Sequence, residues 1–98
     1  MQYLKTEFNK KKDIFIVEID GNLIQDKGEF LDVMTEKFKF PYHVNGFDGY
    51  LDWICDLEWL GKEEYILIIN NFSNFIKRND SLKKIIIEDI EDIILPWW

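Results

Sequence analysis

Three aspartates, Asp48, Asp52 and Asp56, recur at every fourth position of the chain. At about 100° per residue an α-helix sets such residues in one ridge. The apolar Phe47, Tyr50, Leu51, Ile54 and Leu57, at i, i+3, i+4, i+7 and i+10, then form a stripe on the opposite side. Like charges one turn apart weaken a helix by about a few tenths of a kcal/mol per pair, so local stability does not call for them. Asp48 near the first turn gains from the helix dipole, whereas Asp52 and Asp56 have no such local role. Carboxylates in this pattern fit a solvated face of an acidic protein or an anionic surface presented to a basic partner. A hard cation is a weaker fit, because side chains one turn apart diverge and no loop supplies the carbonyls that such ions take. No metal or cofactor is expected, and a small metal-dependent hydrolase built on the aspartates remains as an alternative.

Other reactive side chains are few. His43 is the only histidine, and no serine, cysteine or second histidine is placed to complete a nucleophile system with it. Cys55 is the only cysteine. It lies on the second helix roughly toward the ridge, with no basic neighbour in sequence to lower its pKa, and reads as a partly buried, inert thiol. No catalytic residue is expected and the chain is not read as an enzyme.

The 98 residues carry a formal charge of −7 with an isoelectric point near 4.6, which repels nucleic acid phosphates and anionic lipid headgroups at long range. The partner implied is basic. A lone cysteine permits no intrachain disulfide, Met1 to Asp13 lacks the apolar stretch of a secretory signal, and apolar runs such as Tyr65 to Ile69 fall far short of the ~20 residues that span a bilayer. We expect a soluble, cytoplasmic protein, monomeric or weakly dimeric. Its 47% hydrophobic content supplies one core, hence one domain over 1–98 with 1–13 as an N-terminal extension.

The elements that must hold the ridge are legible from patterning. Ile14 to Ile19, closed by Asp20, Gly21 and Asn22, reads as a buried strand. Asp26 with Glu29 has the form of a capping box, and Phe30, Val33, Met34 and Phe38 continue at helical spacing up to Pro41. A loop over Tyr42 to Gly46 leads into the second helix, Phe47 to Trp59, with Gly61 as its stop. Tyr65 to Ile69 is a second strand, Phe72 to Ile76 a helical turn, and Ser81 a possible cap for a helix along Leu82, Ile86, Ile90, Ile93 and Trp97. Strand, helix, helix, strand, helix implies crossovers and parallel pairing.

The run Gly46-Phe47-Asp48-Gly49-Tyr50-Leu51-Asp52-Trp53-Ile54-Cys55-Asp56-Leu57-Glu58-Trp59-Leu60 resembles the barstar-family segment N-x-D-A-x-x-D-x-L-x-D-L-x-W-L. The resemblance extends to Phe15 to Gly21, to Phe40-Pro41 and to Tyr65 to Ile69, about two thirds of the chain in collinear order. It implies a barstar-like α/β fold, a small parallel sheet of two or three strands packed with three to four helices. It also implies an inhibitor or immunity protein whose second helix and preceding loop plug the basic active site of a ribonuclease, or of a related nuclease toxin, with carboxylates standing in for RNA phosphates. In the family the two aspartates of D-A-x-x-D make the central contacts, and here they fall on Asp48 and Asp52. Tyr42 matches an aromatic of the family loop, and Leu51 stands where one well-known member has a tryptophan. The expected partner-binding set is therefore Asp48, Asp52 and Asp56 with Tyr42, His43, Asn45, Gly46, Leu51 and Cys55.

Three departures accompany the resemblance. The family loop F-P-x-Y-x-G-x-N is one residue shorter here, over Phe40 to Gly46. Gly46 replaces the family's asparagine, with Asn45 one position earlier. The family ends in a further strand, for which this chain offers either Ile93 to Trp97 as an edge strand or Gln2 to Phe8.

Overall fold

The structure, a computed structural model, describes residues 2–4 and 13–98. Strands β1 (Gln2–Leu4), β2 (Ile14–Asp20) and β3 (Glu64–Asn70) form one sheet in the order β1-β3-β2. β2 and β3 run parallel, with Ile14 opposite Glu64 and Asp20 opposite Asn70. The crossover that parallel neighbours require carries helices α1 (Lys27–Lys37) and α2 (Phe47–Asp56). A third helix, α3 (Asp80–Asp89), follows β3. The fold class is the α/β arrangement expected, a parallel pair with three helices. The third strand is the amino-terminal candidate: β1 joins β3 antiparallel, Gln2 opposite Ile68, and the rest of the Gln2 to Phe8 stretch lies outside the described residues.

Ile93 to Trp97 is accordingly not a strand. α3 runs on through a π-helical turn, Ile90–Ile94, into a last helical turn, α4 (Leu95–Trp97). Ile86, Ile90, Ile94 and Trp98 recur at every fourth position and are all buried, so the helical face continues to the core where an alternating one would not. A proline inside an α-helix clashes with the carbonyl four residues back. The π turn opens that spacing just before Pro96, the Leu95 N–H reaching back five residues to the Ile90 carbonyl.

Four local differences from the sequence reading have simple causes. β2 is half-buried where a buried strand was expected: Val17 and Ile19 face the core, while Glu18 is exposed and Ile16 keeps 53% of its surface in solvent, as suits an edge strand. α1 ends before Pro41, in a Schellman closure with Lys39 left-handed (φ 54°); Phe40 N–H bonds the Thr35 carbonyl at 3.0 Å and Lys39 N–H the Glu36 carbonyl at 3.2 Å. α2 stops at Asp56, short of Trp59 and Gly61, because buried Leu57 takes a left-handed conformation (φ 50°) and turns the chain into a 3₁₀ turn at Glu58–Leu60. The cap of α3 is Asn79 rather than Ser81, its side chain accepting from Leu82 N–H at 3.1 Å.

The predicted capping box of α1 is present in a shifted form. Asp26 accepts from Glu29 N–H at 2.8 Å, and Glu29 accepts in turn from Gln25 N–H at 3.0 Å. Gly21 lies so close to the turn after β3 that a Cβ there would stand 2.6 Å from the Asn71 carbonyl oxygen, which joins the ends of the parallel strands. The same junction ties Asp20 to Asn71 Nδ2 and to Asn22 N–H, both at 2.9 Å, and these bonds, Asn71's first, hold the Asp20 carboxyl below its usual range.

The core gathers around Phe30, whose ring meets Tyr50 at 5.3 Å and Phe75 at 6.0 Å edge-on. Phe15, Val17, Ile19, Tyr65, Leu67 and Ile69 join it from the sheet. Trp98 closes the end of the molecule against Phe38 and Tyr65, and its indole donates to the Ile54 carbonyl of α2 at 2.8 Å. Because the chain leaves the helix after Asp56, this bond from another element satisfies a carbonyl near the helix end. Trp98→Phe keeps an aromatic ring but removes that donor. It is expected to lower unfolding stability by about 1–3 kcal/mol, the cost of a buried acceptor left unpaired, as measured by urea denaturation.

Candidate functional site

α2 is held by one face and offers the other. Tyr50, Ile54 and Leu57 have no exposed surface, Phe47 and Leu51 are half-buried, and Asp48, Asp52 and Asp56 are exposed. Among the described residues none of the three carboxylates has a hydrogen-bond or ion-pair partner. Asp48 sits in the first turn, where the dipole favours it; Asp56 is the last helical residue, where the dipole opposes it. The ridge is thus uncompensated among the described residues.

The loop before α2 is pinned by Val44, which is buried and packs on Gly49; a Cβ at Gly49 would lie 3.3 Å from Val44 Cγ1. An alanine there, as in the family motif, would press on the Val44 side chain. Gly46 is the N-cap of α2 with ordinary extended backbone, and no side chain caps the helix. The family's asparagine would supply that cap. Tyr42 is 72% exposed and leans on Trp53, ring centroids 6.2 Å apart, so loop and helix form one surface. His43 turns to α1, its Nε2 2.9 Å from Asp32 Oδ1, and Asn45 is exposed beside the cap.

On the other flank, Leu51 and Cys55 border a cleft of about 420 Å³ that also contains Asp52, Asp56, Ile93 and Trp97. Burial, with the Asp52 carboxylate adding, pushes the Cys55 thiol above its usual value, in keeping with an inert thiol. Burial likewise drives the Tyr50 phenol far above its usual range, with Asp89 and then Cys55 adding, and its hydroxyl has no hydrogen-bond partner among the described residues. A separate cleft of about 430 Å³ between the strand-end turns is lined by Asn22, Gln25, Asn74, Lys77 and Arg78. Its Gln25 and Asn74 amides are already engaged, Gln25 Nε2 on the Asn74 carbonyl at 2.8 Å and Asn74 Nδ2 on Asn22 Oδ1 at 2.7 Å, so these amides serve the turns.

The structure therefore exposes Asp48, Asp52 and Asp56 along α2, sets Leu51 and Cys55 on its cleft flank and Tyr42, Asn45 and Gly46 in the loop that leads into it, while His43 is engaged with α1. The sequence pattern set Ile93 and Trp97 on the apolar stripe of the last helix; the π turn shifts that stripe to Ile94 and Trp98 and leaves Ile93 and Trp97 exposed beside α2. Nothing in the sequence singled out Asp89 from its acidic neighbours. Among the described residues no group of His, Cys, Asp or Glu is arranged to hold a metal ion, and no helix is long and apolar enough to cross a membrane.

Fold and surface define a class: a small acidic α/β protein that fixes a helix by its apolar stripe and leaves a carboxylate ridge uncovered. The chain belongs to the barstar family, whose model, Barstar (barnase inhibitor), matches residues 14–96. A comparison with curated proteins and with solved structures finds no match. The matched span begins at the first residue of β2 and takes in both parallel strands and helices α1, α2 and α3. Its members are inhibitors rather than enzymes.

Glu88, Asp89, Glu91 and Asp92 form a second acidic cluster where α3 passes into the π turn, and it carries an internal cost. Burial, followed by the Glu88 and Asp92 charges, raises the Asp89 carboxyl above its ordinary value. An acid whose pKa is higher folded than unfolded binds more protons in the native state, so stability falls as pH rises through that interval and the penalty persists above it. Asp89→Asn is expected to raise the melting temperature at pH 7 and to lose that advantage near pH 3, as read by thermal denaturation across pH.

Proposed function

We propose that this protein is a stoichiometric inhibitor of a basic ribonuclease, occupying the enzyme's cationic active site with α2 and the loop that precedes it. Asp48 and Asp52 mimic RNA phosphates and make the central contacts; Asp56 extends the ridge, and Tyr42, His43, Asn45, Gly46, Leu51 and Cys55 complete the surface. The observation that carries this reading is the set of three exposed carboxylates, without a partner among the described residues, on a helix whose other face is locked in the core. Such pre-organisation lowers the ordering cost of binding, and the charge of −7 speeds encounter with a cationic enzyme. The inhibitor acts as a monomer in the cytoplasm, where a lone half-buried thiol stays reduced, and protects its producer as an immunity protein.

The shorter loop and the uncapped Gly46 favour a second reading, in which the basic partner is a toxin nuclease of another class. A pull-down against candidate nucleases separates the two.

The test uses the double variant Asp48→Ala with Asp52→Ala in a ribonuclease inhibition assay against a barnase-type enzyme over a range of salt concentrations. Affinity is expected to fall by more than about thirtyfold, the cost of losing a hot spot worth ~2 kcal/mol or more, and its salt dependence to flatten. Folding stability is expected to hold or rise slightly, since repulsion along the helix is relieved. Unchanged affinity and unchanged salt dependence would remove the ridge as the binding surface.

A further inference from the structure

The cleft beside the ridge combines two kinds of wall. Asp52 and Asp56 contribute carboxylates with no partner among the described residues. Leu51 and Ile93 contribute aliphatic surface, Ile93 40% exposed, and Trp97 contributes an indole that is 72% exposed. An exposed tryptophan facing two uncompensated carboxylates is not explained by the core, which already ends at Trp98. It is held there by construction: the Trp98 indole anchors on the Ile54 carbonyl, and the π turn at Ile90–Ile94 sets the register that brings its neighbour alongside Cys55. π turns of this kind recur at functional sites.

From this geometry we infer that the cleft between α2 and the Ile93 to Trp97 segment receives one arginine side chain of the basic partner. The inference rests on the inhibitor reading above and deepens it. The argument is charge complementarity and shape. An arginine stem lies along aliphatic surface, its planar guanidinium stacks on an indole, and its fork of donors meets carboxylates in pairs. Lysine offers a compact, strongly hydrated charge that uses the indole and the carboxylate pair less well. The cleft, about 420 Å³, lies at the small end of the range for ligand sites and adjoins the ridge through Asp52, so a partner seated on α2 can deliver the side chain without a separate docking event.

The experiment is a titration of the full-length protein with a blocked tri-arginine peptide, followed by the tryptophan indole N–H signals in two-dimensional NMR. Its lysine and citrulline counterparts serve as comparisons. Trp97→Phe assigns the Trp97 signal; the Trp59 and Trp98 indoles, which donate to internal carbonyls, serve as references. A saturable shift of Trp97 is expected with arginine, weaker with lysine and absent with the neutral citrulline. Trp97→Ala, at an exposed position that folding tolerates, should weaken binding by about fivefold or more, as should Asp52→Asn with Asp56→Asn. Equal response to citrulline, no response at Trp97, or Trp97 shifts that depend on protein concentration without peptide, showing a second copy in the cleft, would overturn the inference. Its failure is separable from that of the inhibitor reading. Loss of ribonuclease affinity in the Asp48 variant with a silent Trp97 sinks the cleft alone, whereas a responsive Trp97 with an unaffected ridge double variant sinks the ridge and supports the cleft.

Discussion

The position of the acidic ridge depends on the packing of one short stripe, Tyr50, Ile54 and Leu57, into the core. None of the three has exposed surface, and their burial against Phe30, Phe75 and the sheet is what fixes the rotation of α2 about its own axis. Burying a side chain of this size contributes about 1.5–3 kcal/mol, against tenths for each repulsion along the ridge, so the stripe prevails and the charges are carried outward as a consequence. The Trp98 indole adds a hydrogen bond at the level of Ile54, tying the far end of the helix to the carboxyl-terminal segment. Were the helix rotated by one residue, the aspartates would meet the core and the ridge would vanish as a surface.

Charge on this protein is maintained at a local cost. Asp56 stands at the unfavourable end of a dipole, Gly46 leaves the start of α2 without a side-chain cap, and Asp89 is crowded by Glu88 and Asp92. Among the described residues the buried Tyr50 hydroxyl goes without a partner in the same region. Each is a small departure from what stability alone would select, and they fall on α2 and on the helix packed beside it. Elsewhere the structure follows local rules closely, as in the reciprocal Asp26 and Glu29 bonds and the Asn79 cap.

How much of this was legible beforehand follows from the range of the interactions involved. The stripe and ridge of α2 repeat within two turns, so periodicity alone separated Tyr50 and Ile54 from Asp48 and Asp52. The parallel pair was readable because Tyr65 to Ile69 is too short and too apolar for anything but a central strand. Features set by distant partners were not. The end of α2 at Leu57 depends on a left-handed backbone in a residue other than glycine, which carries no local signature. The choice between Gln2 and Ile93 as the third strand depends on which segment reaches the free edge of β3. The π turn that shifts Trp97 inserts an offset that a fixed helical period misses, and with it the cleft beside Cys55.

One feature of the topology bears on how such a protein can change. The parallel strands that close the fold are about fifty residues apart in sequence, and α2 together with its leading loop lies wholly inside that span. Closing so long a span already dominates the entropy of assembly, and each doubling of its length adds only about 0.6 kcal/mol. Shortening or extending the stretch around Tyr42 to Gly46 by a residue therefore scarcely taxes folding. The contour of the surface that α2 and this loop present can be remodelled independently of the scaffold, at a kinetic cost set once by the long-range strand pairing.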